Sequence, residues 1–275
     1  MRFGLFGLNF GPCADPELAV RVAVAAEESG FESVWTGEHV AMPIRDNPVP
    51  TPAETPLLDS LVALANVGAH TRRLRLGTGI LVLPHHNPVL LAKALTTLDL
   101  VSGGRLIAGF GGGYVEAEFR ALGVSFKDRG AITDEYLEAI RVLWTEELPR
   151  FQGRHAAFDG IRFEPKPRQR PHPPIVIGGH AAPALRRAAR FGDGWYGFGL
   201  TVEAAAPMVQ ELRRLRATTG RPPLDISLTT FERLTPELVR EAERAGIHRL
   251  IVFPRTRAGT LENAVRELGP LVQAS

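Results

Sequence analysis

Residues 74–114 read LRLGTGILVLPHHNPVLLAKALTTLDLVSGGRLIAGFGGGY, and their pattern decides the fold class. Leu74 to Leu83 is apolar apart from Arg75, Thr78 and two glycines, which suits a strand buried on both faces of a parallel sheet. Pro84 and Pro88 punctuate the chain. From Val89 the residues Leu91, Ala94, Leu95 and Leu98 recur at helical spacing, and Gly103 and Gly104 stop the helix before a second apolar run, Leu106 to Phe110. Strand, helix and strand in this order form a right-handed crossover. Both strands then run parallel, and their carboxyl ends, Thr78 to Leu83 and Phe110 to Tyr114, open on one side.

The same alternation continues outward. Arg2 to Leu8 reads as a strand, and a helix follows from Pro16 to Ser29, with Asp15 as its N-cap and Gly30 closing it. Ser33 to Thr36 is a short second strand ending in Gly37, Glu38 and His39. Val40 to Pro56 holds five prolines and no periodicity, which predicts a long irregular loop, a candidate lid, on the side of the glycine-rich ends. Helices are expected over Leu57–Ala69 and Thr133–Trp144. Residues 147–174 break the rhythm with clustered prolines and with Phe151, Phe158, Ile161 and Phe163 around two glycines, which predicts a hairpin-like insertion. Strands then fall at Ile175–Ile177, Trp195–Phe198, Leu224–Thr230 and Arg249–Phe253. Helices alternate with them at Ala182–Phe191, Val202–Thr218, Pro236–Ala245 and Leu261–Val272. Eight strand-helix pairs with no break in composition predict that residues 1–275 form a single α/β domain, a (β/α)8 TIM barrel with an insertion between its fourth helix and fifth strand.

Composition narrows the function. The 32 basic and 30 acidic residues leave a net charge of +2, which is no nucleic-acid footprint. A single cysteine, Cys13, excludes an internal disulfide framework, and Met1 leads straight into a strand-like run without a secretory signal, so a cytoplasmic protein is expected. No apolar run approaches the roughly 20 residues that a membrane span needs, so no membrane partner is expected.

In such barrels the chemistry sits just after the carboxyl ends of the strands. The candidates there are Asn9 and Cys13, Glu38 and His39, Thr78 and Gly79, His85 and His86, Gly111 to Tyr114, Gly178 to His180, and Gly199 and Thr201. Glycine and backbone amides dominate, which favours holding a flat or anionic ligand at close range over a carboxylate or metal centre. Glu38 beside His39 has the form of a tuned acid or base, although a surface pair is the plainer alternative. Gly111 to Gly113 also fits a flexible turn. Gly178, Gly179 and His180 precede a helix, so their amides suit an anion, with Arg186 and Arg187 adding positive charge, although a routine turn has the same form. His85 and His86 point apart on an extended segment and lack metal-ligand spacing, so no metal site is expected.

The stretch 74–114, together with FRALGVSF, DEYLEAIRVLW, PKPRQRPHPPIVIGG and RRAARFGDGWYG further on, resembles the luciferase-like flavin and deazaflavin oxidoreductases over nearly the whole chain. It is most similar to the subgroup that uses coenzyme F420. The resemblance implies an often dimeric TIM barrel, so a homodimer is expected, with the tricyclic ring at its mouth. It also implies a non-prolyl cis peptide at Gly79-Ile80 under the ring, with Gly112 and Gly113 along it. Gly178, Gly179 and His180 would meet its phosphate, and Glu38 and His39 would stand at its reactive edge. The implied reaction is hydride transfer between F420 and a small organic substrate, with His39 moving a proton and Glu38 fixing its imidazole. Val40 to Pro43 holds no tryptophan and Tyr114 stands where the sugar-phosphate branch has glutamate, which argues against that substrate. The alternatives are an FMN-dependent monooxygenase that uses dioxygen and, in another class, a barrel that binds a flavin or other ligand without turnover.

Overall fold

The computed structural model of the chain describes residues 1–253 and 260–274. Its elements, in order, begin with β1 (Arg2–Phe6), α1 (Pro16–Glu28), β2 (Ser33–Thr36), α2 (Ser60–His70), β3 (Arg75–Thr78), β4 (Leu81–Val82), α3 (Pro88–Val101) and β5 (Leu106–Gly111). They continue with α4 (Glu116–Ala121), α5 (Arg129–Thr145), β6 (Phe151–Gln152), β7 (Ala157–Phe158), β8 (Ile175–Gly178), α6 (Ala182–Phe191) and β9 (Gly194–Phe198). The last are α7 (Val202–Ala217), β10 (Asp225–Thr230), α8 (Pro236–Ala245), β11 (Arg249–Val252) and α9 (Leu261–Ala274).

Eight parallel strands close on themselves in the order β1, β2, β3, β5, β8, β9, β10, β11, and β11 pairs back with β1. This is the TIM barrel that the alternation predicts. Local chemistry sets the helix ends: the Asp15 side chain accepts from the amides of Glu17 and Leu18, and that of Asn87 from Val89 and Leu90. α2 starts at Ser60, three residues later than expected, because Asp59 caps the Val62 amide and Leu57 bridges to Phe10. α5 is a turn longer than expected at its start, and the short α4 is additional to the expected helices. Between α5 and β8 the chain makes the hairpin of β6 and β7, with Phe151 and Phe158 stacked across it at 5.8 Å. The Glu135 carboxylate holds that hairpin against α5 by accepting from the amides of Arg154, His155 and Ala156. Among the described residues no helix is long and apolar enough to cross a membrane.

The core has two layers. A large one fills the space between barrel and helices, and a smaller one inside the barrel joins Phe6, Trp35, Ile107, Val176, Tyr196 and Ile251. Inside, the Trp35 and Tyr196 rings stack in parallel, their centroids 5.4 Å apart. Gly77 makes room for them, since a Cβ there would come within 2.4 Å of the indole. At the amino-terminal end, the buried Arg249 guanidinium is clamped by Glu32 at 2.9 and 3.0 Å and by Asp225 at 3.1 Å, and Arg2 pairs with Asp225 as well. Burial works against both carboxylates, but Arg249 holds each below its ordinary range. The charged plug sits at one end of the barrel, and the candidate residues gather at the other.

Candidate active site

The barrel mouth starts from β2. Asn9 ties the ends of β1 and β2 together: its amide group donates to the carbonyls of Gly37 and Leu58, and its oxygen accepts from the Gly37 amide. Beyond this clamp Glu38 and His39 diverge. The Glu38 carboxylate accepts from the Val82 amide at 2.6 Å and meets His86 Nε2 at 2.9 Å. Its charge and hydrogen bond lift the His86 imidazole above its ordinary pKa although burial opposes this. Glu38 therefore does not fix His39, contrary to the sequence expectation; it fixes β4 and the turn that follows.

His39 is held instead by a residue outside the expected set. Its Nδ1 lies 3.0 Å from Oε2 of Glu118 on α4, and Oε1 of Glu118 accepts from the amides of Val40 at 2.7 Å and Ala41 at 3.3 Å. Glu118 is 2% exposed, yet the His39 and backbone donors outweigh the cost of burial and keep its carboxyl below the usual glutamate range. An ionised carboxylate only accepts, so His39 donates through Nδ1 and its Nε2 is left to take or give a proton. Tyr114 stands edge-on to this imidazole, with the ring centroids 6.2 Å apart. One signal of α4 is in the sequence: Val115, Phe119 and Leu122 share a helical face, and Gly123 ends it at φ +69°.

Next to this pair β3 breaks away from β5. The pairing advances four residues from Gly77 to Leu81 while the partner advances three from Ile107 to Phe110, which is a β-bulge. Thr78 fills the gap, its hydroxyl donating to the Gly109 carbonyl and accepting from the Gly109 amide. Its side chain thus belongs to the barrel wall. The Gly79-Ile80 bond is cis, as the family resemblance implies. Gly79 lies over the Tyr196 ring, and the Ile80 side chain nests between Gly111 and Gly178, where added Cβ atoms would come within 2.6 and 2.7 Å of it. Gly113 is fixed by its φ of +73° and by Val82 and Phe119. Gly112 differs, because a Cβ there would meet only the Thr133 hydroxyl at 3.3 Å. Of the three glycines it is the one that the protein's own packing least demands.

β8 ends in Gly178, followed by Gly179 at φ +119° and His180. The Gly179 carbonyl accepts from the Trp195 indole at 2.9 Å. His180 Nε2 accepts from the Phe198 amide at 3.2 Å, and burial lowers its pKa, so the ring is neutral and its proton sits on Nδ1. α6 begins beside it without any side-chain cap. Arg187 is not available to an anion there: its guanidinium donates to Asp134 at 2.6 Å and to the Gly130 carbonyl. Cys13 is buried with its thiol pushed up to about 11, which makes it inert. His85 lies edge-on to Phe119 at 4.5 Å, and burial lowers its pKa.

These residues fit a flat ring with an anionic tail. Gly112 leaves room for a ring face, His39 presents a free Nε2, and the His180 Nδ1-H with the uncapped start of α6 suits a phosphate.

The profile of the luciferase-like monooxygenase family matches residues 1–235. An uncharacterized protein of Mycobacterium bovis is 32% identical over 243 residues, which span 85% of this chain and 83% of that one. The F420-dependent glucose-6-phosphate dehydrogenase of Amycolatopsis mediterranei is 32% identical over 205 residues, 71% of this chain and 59% of that one. The FMNH2-dependent dimethylsulfone monooxygenase of Pseudomonas putida is 34% identical over 155 residues, 55% and 42% of the two chains. The crystal structure of the monooxygenase RslO1 from Streptomyces bottropensis shares the fold, with a TM-score of 0.82 at 24% identity and 100% of both chains covered. The chain belongs to the luciferase-like monooxygenase family.

Proposed function

We propose that the protein is an oxidoreductase that uses a deazaflavin of the F420 type to exchange a hydride with a small organic substrate. The observation that carries this reading is the His39–Glu118 couple, which leaves one imidazole nitrogen free beside the open Gly112. When bound, the deazaflavin supplies the two-electron hydride centre. In the oxidising direction His39 Nε2 takes the proton that a substrate hydroxyl loses, and in the reducing direction it returns one. Glu118 keeps the proton on Nδ1 and stabilises the imidazolium that forms. Gly112 lets the ring approach, while His180 and the first turn of α6 hold the phosphate. Glu38 is a positioning residue that acts through Val82 and His86. Similarity to the Amycolatopsis enzyme over 71% of this chain supports the deazaflavin.

A second reading, an FMN-dependent monooxygenase, draws support from the Pseudomonas enzyme, whose match covers 55% of this chain. Calorimetric titration of the protein with F420 and with FMN, each oxidised and reduced, separates the two. Selective binding of F420 is expected; preference for reduced FMN would move the assignment to the monooxygenase, and binding of neither would overturn both. We also assign a second copy of the chain to the outer faces of α2 and α3, where Val62, Leu90 and Val101 are 70%, 72% and 70% exposed. Sedimentation of Leu90→Glu as a monomer, against a dimeric parent, tests this.

A further inference from the structure

The strands β1, β11, β10 and β9 are neighbours in the barrel, and each ends in a phenylalanine or is followed at once by one. Phe6 and Phe198 are the last residues of β1 and β9, Phe231 follows β10, and Phe253 follows β11. Their rings close a quadrilateral: Phe6 to Phe198 at 5.0 Å, Phe198 to Phe231 at 5.7 Å, Phe231 to Phe253 at 6.0 Å and Phe253 to Phe6 at 5.5 Å. Phe10 extends it edge-on at 6.1 Å from Phe253. These are spacings of interacting aromatic pairs. Only Phe6 is buried; Phe198 is 37% and Phe231 42% exposed, so the ring cluster opens at the mouth.

This wall is continuous with the site. Phe198 donates its amide to His180, and its ring lies 6.3 Å from Tyr196, which lies under Gly79. Glu232, the first carboxylate along the chain after Phe231, accepts from the Val202 amide at 3.0 Å and the Thr230 hydroxyl at 3.2 Å. A carboxylate on a ligand seated here would lose water and meet a like charge in that residue. Among the described residues the wall is aromatic with few directed polar groups, the usual make of a site for an apolar molecule.

We propose that the phenylalanine quartet is the substrate subsite, and that it takes an uncharged molecule bearing an aromatic or fused-ring group. This deepens the reading of the mouth as an oxidoreductase site and rests on it for the word substrate; the binding claim stands on the quartet alone. The phenylalanines hold the ring of the substrate on one half of the mouth, while His39 works from the other.

The test is calorimetric binding to the full chain at neutral pH, with 2-naphthol as the uncharged probe and 2-naphthoate as its charged counterpart. We expect 2-naphthol to bind, 2-naphthoate to bind at least about tenfold more weakly, and Phe198→Ala and Phe231→Ala each to weaken 2-naphthol about tenfold. Phe231→Leu, which keeps most of the volume but loses the ring, should fall between. Leu148→Ala, at an exposed position, should change nothing, and F420 affinity should stay within about twofold in both phenylalanine variants. Absent 2-naphthol binding, equal binding of the two probes, or unchanged affinity in both alanine variants would overturn the subsite. So would an F420 affinity that falls in step with that of 2-naphthol, since the wall would then belong to the cofactor. If F420 fails to bind the parent while the 2-naphthol results hold, the cofactor assignment falls and the aromatic subsite survives.

Discussion

On β2, β3, β5 and β8 the barrel mouth is made of glycines, backbone groups and two histidine-glutamate couples. On β9, β10, β11 and β1 it is made of four phenylalanines. The first half is held by directed bonds: Glu38 and Glu118 have both oxygens engaged, and Thr78 replaces the missing strand pairing. Among the described residues, the second half has ring contacts and little that is directed. The difference teaches that one closed sheet can place proton chemistry and apolar recognition side by side, since each strand end is an independent position on a shared rim.

The largest effect is expected from His39→Ala. It should slow turnover by about 10² to 10⁴, the usual worth of a general acid or base, while F420 affinity changes little. Equal turnover of parent and variant in single-turnover kinetics would remove His39 from the chemistry. Next is Glu118→Gln. Loss of a buried charged acceptor should cost about 1.5 to 3 kcal/mol of stability in denaturant unfolding. It should also lower turnover more than it weakens F420 binding, which a purely structural glutamate would not do. Because the Glu118 carboxyl is held below its ordinary 4.5, its contribution to stability is complete above that pH and is lost as pH falls through the lowered value; the variant should lack this acid-side loss.

A smaller effect separates two adjacent glycines. Gly113→Ala, at φ +73° and against Val82, should lower stability by about 1 to 3 kcal/mol in the same unfolding assay. Gly112→Val should leave stability nearly intact and weaken F420. If the Gly112 variant binds F420 as well as the parent, the glycine half has no platform. The smallest effect is expected at His86. Glu38 raises its pKa above the ordinary 6.5, so the stability that it adds is complete below that pH and is lost as pH rises through the raised value. The gap in unfolding free energy between parent and His86→Gln should therefore narrow as pH rises above 6.5 and through the raised value.

The barrel is legible in the sequence because a strand buried on both faces is a continuous apolar run, and here glycine or proline brackets nearly every run. The site is legible only in part. Adjacent side chains on extended chain point to opposite sides. His85 ends a 3-10 turn, Leu83–His85, before His86, whereas the rule separates Glu38 from His39. Applied there, it sends Glu38 down to Val82 and leaves His39 to find another carboxylate. That carboxylate, Glu118, lies 79 residues away in a six-residue helix too short to show a clear period. The phenylalanine quartet escapes for a different reason. Its members come from four strands and carry no polar chemistry, so nothing local marks them until the strand ends are set side by side.

The three tryptophans are all buried, and they sit at unequal distances from the mouth. Trp35 stacks on the tyrosine beneath Gly79, and Trp195 donates to Gly179 beside His180, whereas Trp144 donates to the Ala92 carbonyl in the outer helical layer. Trp195 therefore lies against the rim, Trp35 lies one ring deeper in the barrel, and Trp144 lies apart. Excited-state energy transfer to a ring that absorbs in the near ultraviolet falls steeply with separation, so such a ring at the mouth should darken the first two more than the third. The barrel carries its own lamp for watching the site fill, with Trp144 as the reference.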